Sequence, residues 1–195
     1  MSTLPATLAE ALAASDIVHE RTAVAAAITR MACELDARLG GREALFLTVL
    51  HGAMLFAGEL ALAMRSPLRF DTVHVTRYRG ATHGGELLWK QRPGTPLAGR
   101  TVLLVDDILD EGHTLAALRD ACRSEGATAV LIATLCTKPH GRCVPGLASD
   151  VNGLLVPDRY VYGIETQWAA HGQRQFAGEQ HGAVQHGEEQ RLAAA

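Results

Sequence analysis

The sequence lacks the features that would direct it to a membrane, to an oxidising compartment or to nucleic acid. No apolar run reaches the ~18 residues that a membrane-spanning helix needs. The four cysteines form no C-x-x-C pair, and residues 1–14 carry no basic residue and make a poor secretory signal. A net charge of -3 gives no general attraction to nucleic acid or anionic lipid. We therefore expect a cytoplasmic protein with reduced thiols, in which local groups hold any anionic ligand.

Lysine is also scarce, since Lys90 and Lys138 are the two lysines among 18 basic residues. The length of 195 residues suits one domain followed by a tail. From Ala169 onward the chain is mostly Ala, Gln, Gly and His, which can bury little apolar surface. We therefore predict a single domain over residues 1–168 and a poorly ordered, low-complexity tail over residues 169–195.

The hydrophobic pattern alternates between strands and helices along the chain. It predicts helices over residues 17–39, 53–64 and about 113–124, strands over residues 44–50, 70–78, 101–105, 129–136 and 151–156, and a long loop over residues 79–99. Such alternation is typical of an α/β fold with a mainly parallel sheet covered on both faces. Ligands of these sheets bind beyond the carboxyl ends of the strands, which locates the candidate site.

The most informative segment is residues 102–115 (VLLVDDILDEGHTL), where an apolar strand ends in the adjacent carboxylates Asp106 and Asp107. These carboxylates can accept hydrogen bonds from vicinal sugar hydroxyls or hold Mg²⁺ through water. Amide N–H groups at the start of the next helix, with Gly112 permitting close approach, form a cradle for an anion, and Thr114 adds a hydroxyl donor. The plain alternative is an Asp-rich loop that only caps the helix. The full strand–loop–helix string favours the phosphate site.

This string resembles the signature of the type I phosphoribosyltransferases: an apolar strand, two acidic residues, two apolar residues, Asp, a small residue, Gly, any residue and Thr. Together with residues 77–90 (RYRGATHGGELLWK), it makes the chain similar to the bacterial hypoxanthine-guanine branch over about residues 17–163. The resemblance implies a central, mainly parallel sheet flanked by helices, with a small hood formed by terminal segments. It also implies Mg²⁺-dependent transfer of the 5-phosphoribosyl group from phosphoribosyl pyrophosphate to N9 of hypoxanthine or guanine, by a homodimer or homotetramer.

The resemblance assigns roles within the string. Asp106 and Asp107 would hold the ribose hydroxyls and the metal, and Asp110 would accept or share the proton at purine N7. The loop from Glu111 through Gly112 and His113 to Thr114 would bind the 5′-phosphate. Glu111 departs from the family pattern, which often has Ser or Thr there, so we expect it to contribute its backbone alone.

The resemblance also assigns roles outside the string. His51 and Gly52 lie where the family has its pyrophosphate loop, in which the peptide before the middle residue is commonly cis, and we carry this over to the Leu50–His51 bond. His51 replaces the usual Lys or Arg, and it can instead be a simple helix-entry residue. Tyr78 matches the catalytic tyrosine of a loop that closes over the pyrophosphate.

Three residues are expected to recognise the base. Lys138 matches the lysine that binds the purine 6-oxo group, and an ammonium, which has only donors, would meet a 6-amino group badly. Tyr160 and Val161 match the segment whose aromatic ring stacks on the purine and whose backbone contacts its edge. An ordinary strand-end lysine and a core tyrosine are the alternatives.

After Gly163 the resemblance ends. Family members carry an aspartate here that helps to place a second Mg²⁺; Glu165 can replace it if two residues are deleted, whereas without a gap Gln167 occupies the position. Two other functions stay open: a xanthine-preferring enzyme of the same fold, and a non-catalytic regulator that binds nucleic acid. Lys138, Tyr78 and the negative net charge favour the enzyme over the regulator.

Overall fold

The structure is a computed structural model and describes residues 16–77, 87–162 and 175–178. Its three helices are α1 (Arg21–Leu39), α2 (Met54–Ala63) and α3 (His113–Ser124) within these residues. The nine strands of the same residues are β1 (Asp16–His19), β2 (Ala44–Leu50), β3 (Leu68–Arg77), β4 (Leu87–Gln91), β5 (Thr101–Leu109), β6 (Ala129–Thr137), β7 (Val151–Leu155), β8 (Tyr160–Tyr162) and β9 (Gln175–Gly178).

Six strands form the main sheet in the order β4-β3-β2-β5-β6-β7. All neighbours in it are parallel except β3 and β4, which pair as antiparallel strands. The apolar runs of β2 and β5 supply the centre of this sheet, where both faces are covered and no alternation of polar residues is needed. The predicted α/β fold with a mainly parallel sheet is confirmed.

Alternate residues of the central strands face two separate cores. Phe46 and Leu103 pack with α1 and α2 on one face of the sheet. Leu47 and Leu104 pack on the other face with Leu115 and its neighbours in α3. These cores fix β2 and β5 side by side, so that the loops after both strands leave from the same edge of the sheet.

A second, smaller sheet consists of three antiparallel strands in the order β1-β9-β8. It combines segments from both ends of the described chain, as the predicted hood of terminal segments requires. The ring of His19 bonds to the main sheet, with Nε2 2.7 Å from the carbonyl oxygen of Leu155.

Three predicted boundaries were wrong. Residues 16–19 form β1 rather than the start of α1, because Asp16 and Ile17 pair with β9, a partner that is distant in sequence. The loop predicted over residues 79–99 contains β4, which pairs with β3. The strand predicted to end at Val105 continues to Leu109, because Ile108 and Leu109 pair with the neighbouring strand β6.

The tail predicted over residues 169–195 contains β9, and the boundary at residue 168 remains a prediction. In the part of the chain that the structure describes, we find no helix with the length and apolar character needed to cross a membrane.

Candidate active site

A cleft of about 390 Å³ opens at the carboxyl end of β5. Its lining comes from one continuous stretch of chain: Asp106, Ile108, Asp110, Glu111, Gly112, His113, Thr114 and Leu115. Every residue of the predicted string from Asp106 to Thr114 except Asp107 and Leu109 therefore borders the cleft. The location agrees with the rule that ligands bind beyond the carboxyl ends of parallel strands.

Gly112 shapes the floor of this cleft at the start of α3. Its φ of 79° lies in the left-handed region, and a Cβ built on it would stand 2.4 Å from Cδ2 of Leu147. A larger residue is therefore excluded by both conformation and space. The first turn of α3 carries no acidic residue, and its amide groups and the positive end of the helix dipole face a cleft that Asp106, Asp110 and Glu111 also line.

Asp106 and Asp107 occupy adjacent positions near the end of β5, where Asp106 pairs with Thr134 of β6. Burial, followed by the charge of Asp107, raises the pKa of Asp106 well above its usual range. Burial also raises the pKa of Asp107. Among the described residues, no basic side chain forms an ion pair with either carboxylate. These carboxylates fit a hydrated divalent cation, which would offset their charge, or sugar hydroxyls, which would donate hydrogen bonds to them.

Asp110 lies between two basic side chains from the loop after β6. Lys138 Nζ is 2.5 Å from its Oδ2, and His140 Nε2 is 2.6 Å from its Oδ1. The Lys138 and His140 side chains are only 9% and 6% exposed, whereas that of Asp110 is 40% exposed. Burial acts to raise the pKa of Asp110, but the hydrogen bonds from Lys138 and His140 hold it below its usual value. Asp110 is therefore a carboxylate at neutral pH.

Backbone hydrogen bonds hold the loop after β6 against the cleft. The Lys138 amide donates to the carbonyl oxygen of Leu109 at 3.0 Å, and the Val144 amide donates to that of Glu111 at 2.9 Å. The carbonyl of Glu111 thus helps to anchor this loop, and the expectation that Glu111 acts in the site through its backbone alone stays a prediction. Its carboxylate lies 3.7 Å from His113 Nε2 at the surface.

A bidentate ion pair connects the same loop to the segment before β8. The two terminal nitrogens of Arg142 lie 2.8 and 2.6 Å from the carboxylate oxygens of Asp158. Tyr160 follows two residues later and is 53% exposed, so its ring is not the core tyrosine of the alternative interpretation. Val161 packs at the edge of the core beneath α1 and α2. The predicted base-binding residues therefore belong to two segments that contact each other.

His51 and Gly52 follow β2, the parallel neighbour of β5, and so lie at the same edge of the sheet as Asp106. The Leu50–His51 peptide is cis, which confirms that prediction. The His51 ring is exposed and packs edge-on against the ring of His74, with centroids 4.5 Å apart. The predicted residues Tyr78 and Glu165 lie outside the described residues.

His140 was missed by the sequence analysis. A lone histidine after a proline carries no signal of its own, and its position two residues after Lys138 was the one available clue. Side-chain atoms of Asp110, His140 and Asp158 lie within 4.8 Å of one another, close enough to suggest a metal cluster. Lys138 and Arg142 already pair with the two carboxylates, so this cluster balances its charge without a metal.

Comparison with known proteins gives a consistent result. The phosphoribosyl transferase domain model matches residues 14–159. A hypoxanthine-guanine phosphoribosyltransferase of Streptococcus pneumoniae is 35% identical over 141 residues, which cover 70% of this chain and 78% of that protein. The corresponding protein of Streptococcus agalactiae is 31% identical over 140 residues, covering 71% of this chain and 77% of that protein.

Solved structures agree on the architecture. A hypoxanthine-guanine phosphoribosyltransferase of Bacillus anthracis superposes with a TM-score of 0.75 at 23% identity, over 84% of this chain and 98% of that one. A hypoxanthine phosphoribosyltransferase of Trypanosoma cruzi gives a TM-score of 0.76 at 20% identity, over 85% of this chain and 95% of that one. At these identities the likeness establishes the fold.

Proposed function

Because the chain belongs to the phosphoribosyltransferase family, we propose that it is an enzyme of purine salvage. In this proposal it transfers the 5-phosphoribosyl group from phosphoribosyl pyrophosphate to N9 of hypoxanthine or guanine, giving IMP or GMP and pyrophosphate. The observation that carries the proposal is the pairing of Lys138 with Asp110 beside the loop from Gly112 to Thr114. It puts a donor suited to a 6-oxo group and a proton acceptor next to a cradle for the sugar phosphate.

The sugar phosphate would bind along the cleft. The free amides of the Gly112–Thr114 segment would hold the 5′-phosphate, and the hydroxyl of Thr114 would add a donor. Asp106 and Asp107 would accept hydrogen bonds from the ribose hydroxyls, and they place negative charge near a sugar that becomes positive as pyrophosphate leaves. These two carboxylates, with Glu165 as a further candidate, would also hold Mg²⁺, which when bound neutralises the pyrophosphate.

The purine would lie between the loop after β6 and Tyr160. Lys138 would donate to the 6-oxo oxygen, and the exposed ring of Tyr160 and the backbone of Val161 would orient the base. Asp110 would take or share the N7 proton, which leaves the N9 lone pair free to form the bond to C1 of the sugar. The pyrophosphate–C1 bond breaks as that bond forms.

His51, Gly52 and Tyr78 would act on the leaving group. Gly52 permits close approach of the backbone to pyrophosphate, and Tyr78 would close over it and exclude water, so that transfer to purine outcompetes hydrolysis. His51 would supply a donor where relatives have a permanent cation. We further propose that the enzyme works in the cytoplasm, where its free thiols remain reduced, and that it forms a homodimer or homotetramer.

The test is to incubate the full chain with phosphoribosyl pyrophosphate and Mg²⁺ and to supply hypoxanthine, guanine, xanthine or adenine in separate reactions. We expect nucleotide from hypoxanthine and guanine, little from adenine, and loss of product when the metal is chelated. Chromatography of the products gives the preference among the three 6-oxopurines. Absence of nucleotide with all four bases contradicts the proposal, and retention of RNA or DNA on a filter at physiological salt would support the regulator instead.

A further inference from the structure

Lys138 must make two hydrogen bonds in the proposed reaction. Its ammonium lies 2.5 Å from Oδ2 of Asp110 and must also donate to the purine 6-oxo oxygen. An ammonium has three N–H donors and can serve both acceptors, but its hydrogen bond to Asp110 reaches only Oδ2. Asp110 therefore needs a second anchor if its carboxylate is to keep one orientation while the base binds.

The ring of His140 meets this need. Its Nε2 lies 2.6 Å from Oδ1 of Asp110, the oxygen that Lys138 does not contact. The backbone N–H of Arg142 donates to the other ring nitrogen, Nδ1, at 3.2 Å. With Nδ1 accepting this hydrogen bond, the tautomer that fits both contacts carries its N–H on Nε2, directed at Asp110.

The surroundings of His140 fix the ring in this orientation. Its side chain is only 6% exposed, and its amide donates to the carbonyl oxygen of Lys138 at 3.1 Å. Arg142, which supplies the donor to Nδ1, is held by its bidentate pair with Asp158. A ring held on both sides has no freedom to exchange its acceptor for another.

We propose that His140 is a positioning residue for Asp110: its Nε2–H holds Oδ1, so that Oδ2, which keeps its contact with Lys138, can turn its second lone pair to the purine N7 proton while Lys138 also binds the 6-oxo group. The proposal rests on the proposed function. The proton passes from N7 to Oδ2, and the N9 lone pair forms the bond to C1. The bond between C1 and the pyrophosphate oxygen breaks, and its electron pair leaves with pyrophosphate. His140 neither gains nor loses a proton in this step.

The test compares His140→Phe, which keeps a planar apolar ring, with His140→Gln, whose side-chain amide can donate from nearly the same position. A hydrogen bond to a carboxylate accounts for about a 10- to 100-fold effect when it is lost. We expect the kcat of His140→Phe with hypoxanthine to fall by that factor, the KM for phosphoribosyl pyrophosphate to stay within about threefold, and His140→Gln to regain most of the rate.

The pH profile separates positioning from a merely structural role. The groups that face Asp110 are Lys138, His140 and, at longer range, Arg142. Because the bond from His140 lowers the pKa of Asp110, its loss in His140→Phe moves the acid limb of kcat/KM for the purine to higher pH. Equal losses of rate in the two variants with an unmoved acid limb would overturn the proposal.

A measurement without turnover keeps this inference separate from the proposed function. Long-range ¹H–¹⁵N spectra of the wild-type chain should show the neutral Nε2–H tautomer for His140, and Asp110→Asn should move its signals. An Nδ1–H tautomer, or signals that do not respond to Asp110→Asn, would overturn the role of His140. If the wild-type chain makes no nucleotide, the proposed function fails, and these spectra still decide whether His140 holds Asp110.

Discussion

The candidate site has two halves that are built in different ways. The phosphate half, residues 106–114, is one continuous segment of strand, loop and helix start. The base half, residues 138–144 and 158–161, consists of two segments that an ion pair between Arg142 and Asp158 joins. Asp110 belongs to the first half by sequence and to the second by its contacts with Lys138 and His140.

The two halves therefore differ in what fixes the positions of their binding groups. In the phosphate half, local backbone geometry sets the positions of the amide groups, and the left-handed conformation of Gly112 is the main example. In the base half, a charge network of two carboxylates, two cations and one histidine orients the side chains. Substitutions should therefore act through conformation in the first half and through charge and hydrogen bonding in the second.

The largest effect is expected at Asp110, where the halves meet. Asp110→Asn removes the proton acceptor and places an amide against the donors of Lys138 and His140. We expect turnover to fall by about 10²- to 10⁴-fold, the usual contribution of a general base. Binding of phosphoribosyl pyrophosphate, measured by calorimetry, should persist because the phosphate cradle is intact. Unchanged turnover would show that Asp110 does not accept the purine proton.

The next largest effect is expected at Lys138, within the base half. Lys138→Met keeps most of the length of the side chain but removes the donor, so kcat/KM for hypoxanthine should fall by roughly 10²-fold. Discrimination against adenine should weaken at the same time. Competition between the two bases in one reaction measures both changes. A variant that loses activity yet still rejects adenine would show that Lys138 does not recognise the 6-oxo group.

Gly112 tests the phosphate half. Gly112→Ala forces a left-handed residue and a contact with Leu147, so we expect a loss of about 2–4 kcal/mol in unfolding free energy and weaker binding of phosphoribosyl pyrophosphate. Gly99→Ala is the matched control, because Gly99 has a φ of 76° but no atom within 4 Å of the added Cβ. It should lose only about 1–2 kcal/mol. Equal losses in urea denaturation would mean that packing beneath the loop is unimportant.

The smallest effect is expected outside both halves, at Asp36. Burial acts to raise its pKa, but hydrogen bonds from the Ser66 hydroxyl and from the amides of Arg65 and Ser66 hold it below the ordinary value of 3.8. The stabilisation is therefore present above pH 3.8 and is lost as the pH falls through the lower, folded pKa.

Asp36→Asn should cost about 1 kcal/mol at neutral pH and leave turnover unchanged. Its deficit relative to wild type, followed by urea denaturation, should shrink below pH 3.8, the ordinary value for an aspartate. A deficit that stays constant down to acid pH would show that the hydrogen bonds do not depend on the charge of Asp36.

Local pattern predicted the strand–loop–helix order of the phosphate half because that segment is one stretch of chain, and its role in binding phosphate stays a prediction. The apolar run of β5, the acidic pair and the start of α3 at His113 could all be read in order. The base half was predicted only in part. Lys138 came from its register with the motif, whereas His140 has a role only because Asp110, 30 residues earlier, lies against it. The roles of all the site residues remain predictions, and Tyr78 and Glu165 lie outside the described residues.

By itself, the sequence determined the parallel α/β architecture and the order of apolar strand, acidic pair, glycine and helix start over residues 102–115. Both depend on neighbours in the chain, through the hydrophobic period and the strand–loop–helix order, whereas the left-handed φ of Gly112 and its closeness to Leu147 are findings of the structure. Tertiary structure alone decided that β1 pairs with β9. It also decided that burial raises the pKa values of both Asp106 and Asp107. Finally, it placed Lys138 and His140 against the two carboxylate oxygens of Asp110. These features depend on burial and on contacts between residues distant in sequence, which a single chain pattern does not specify.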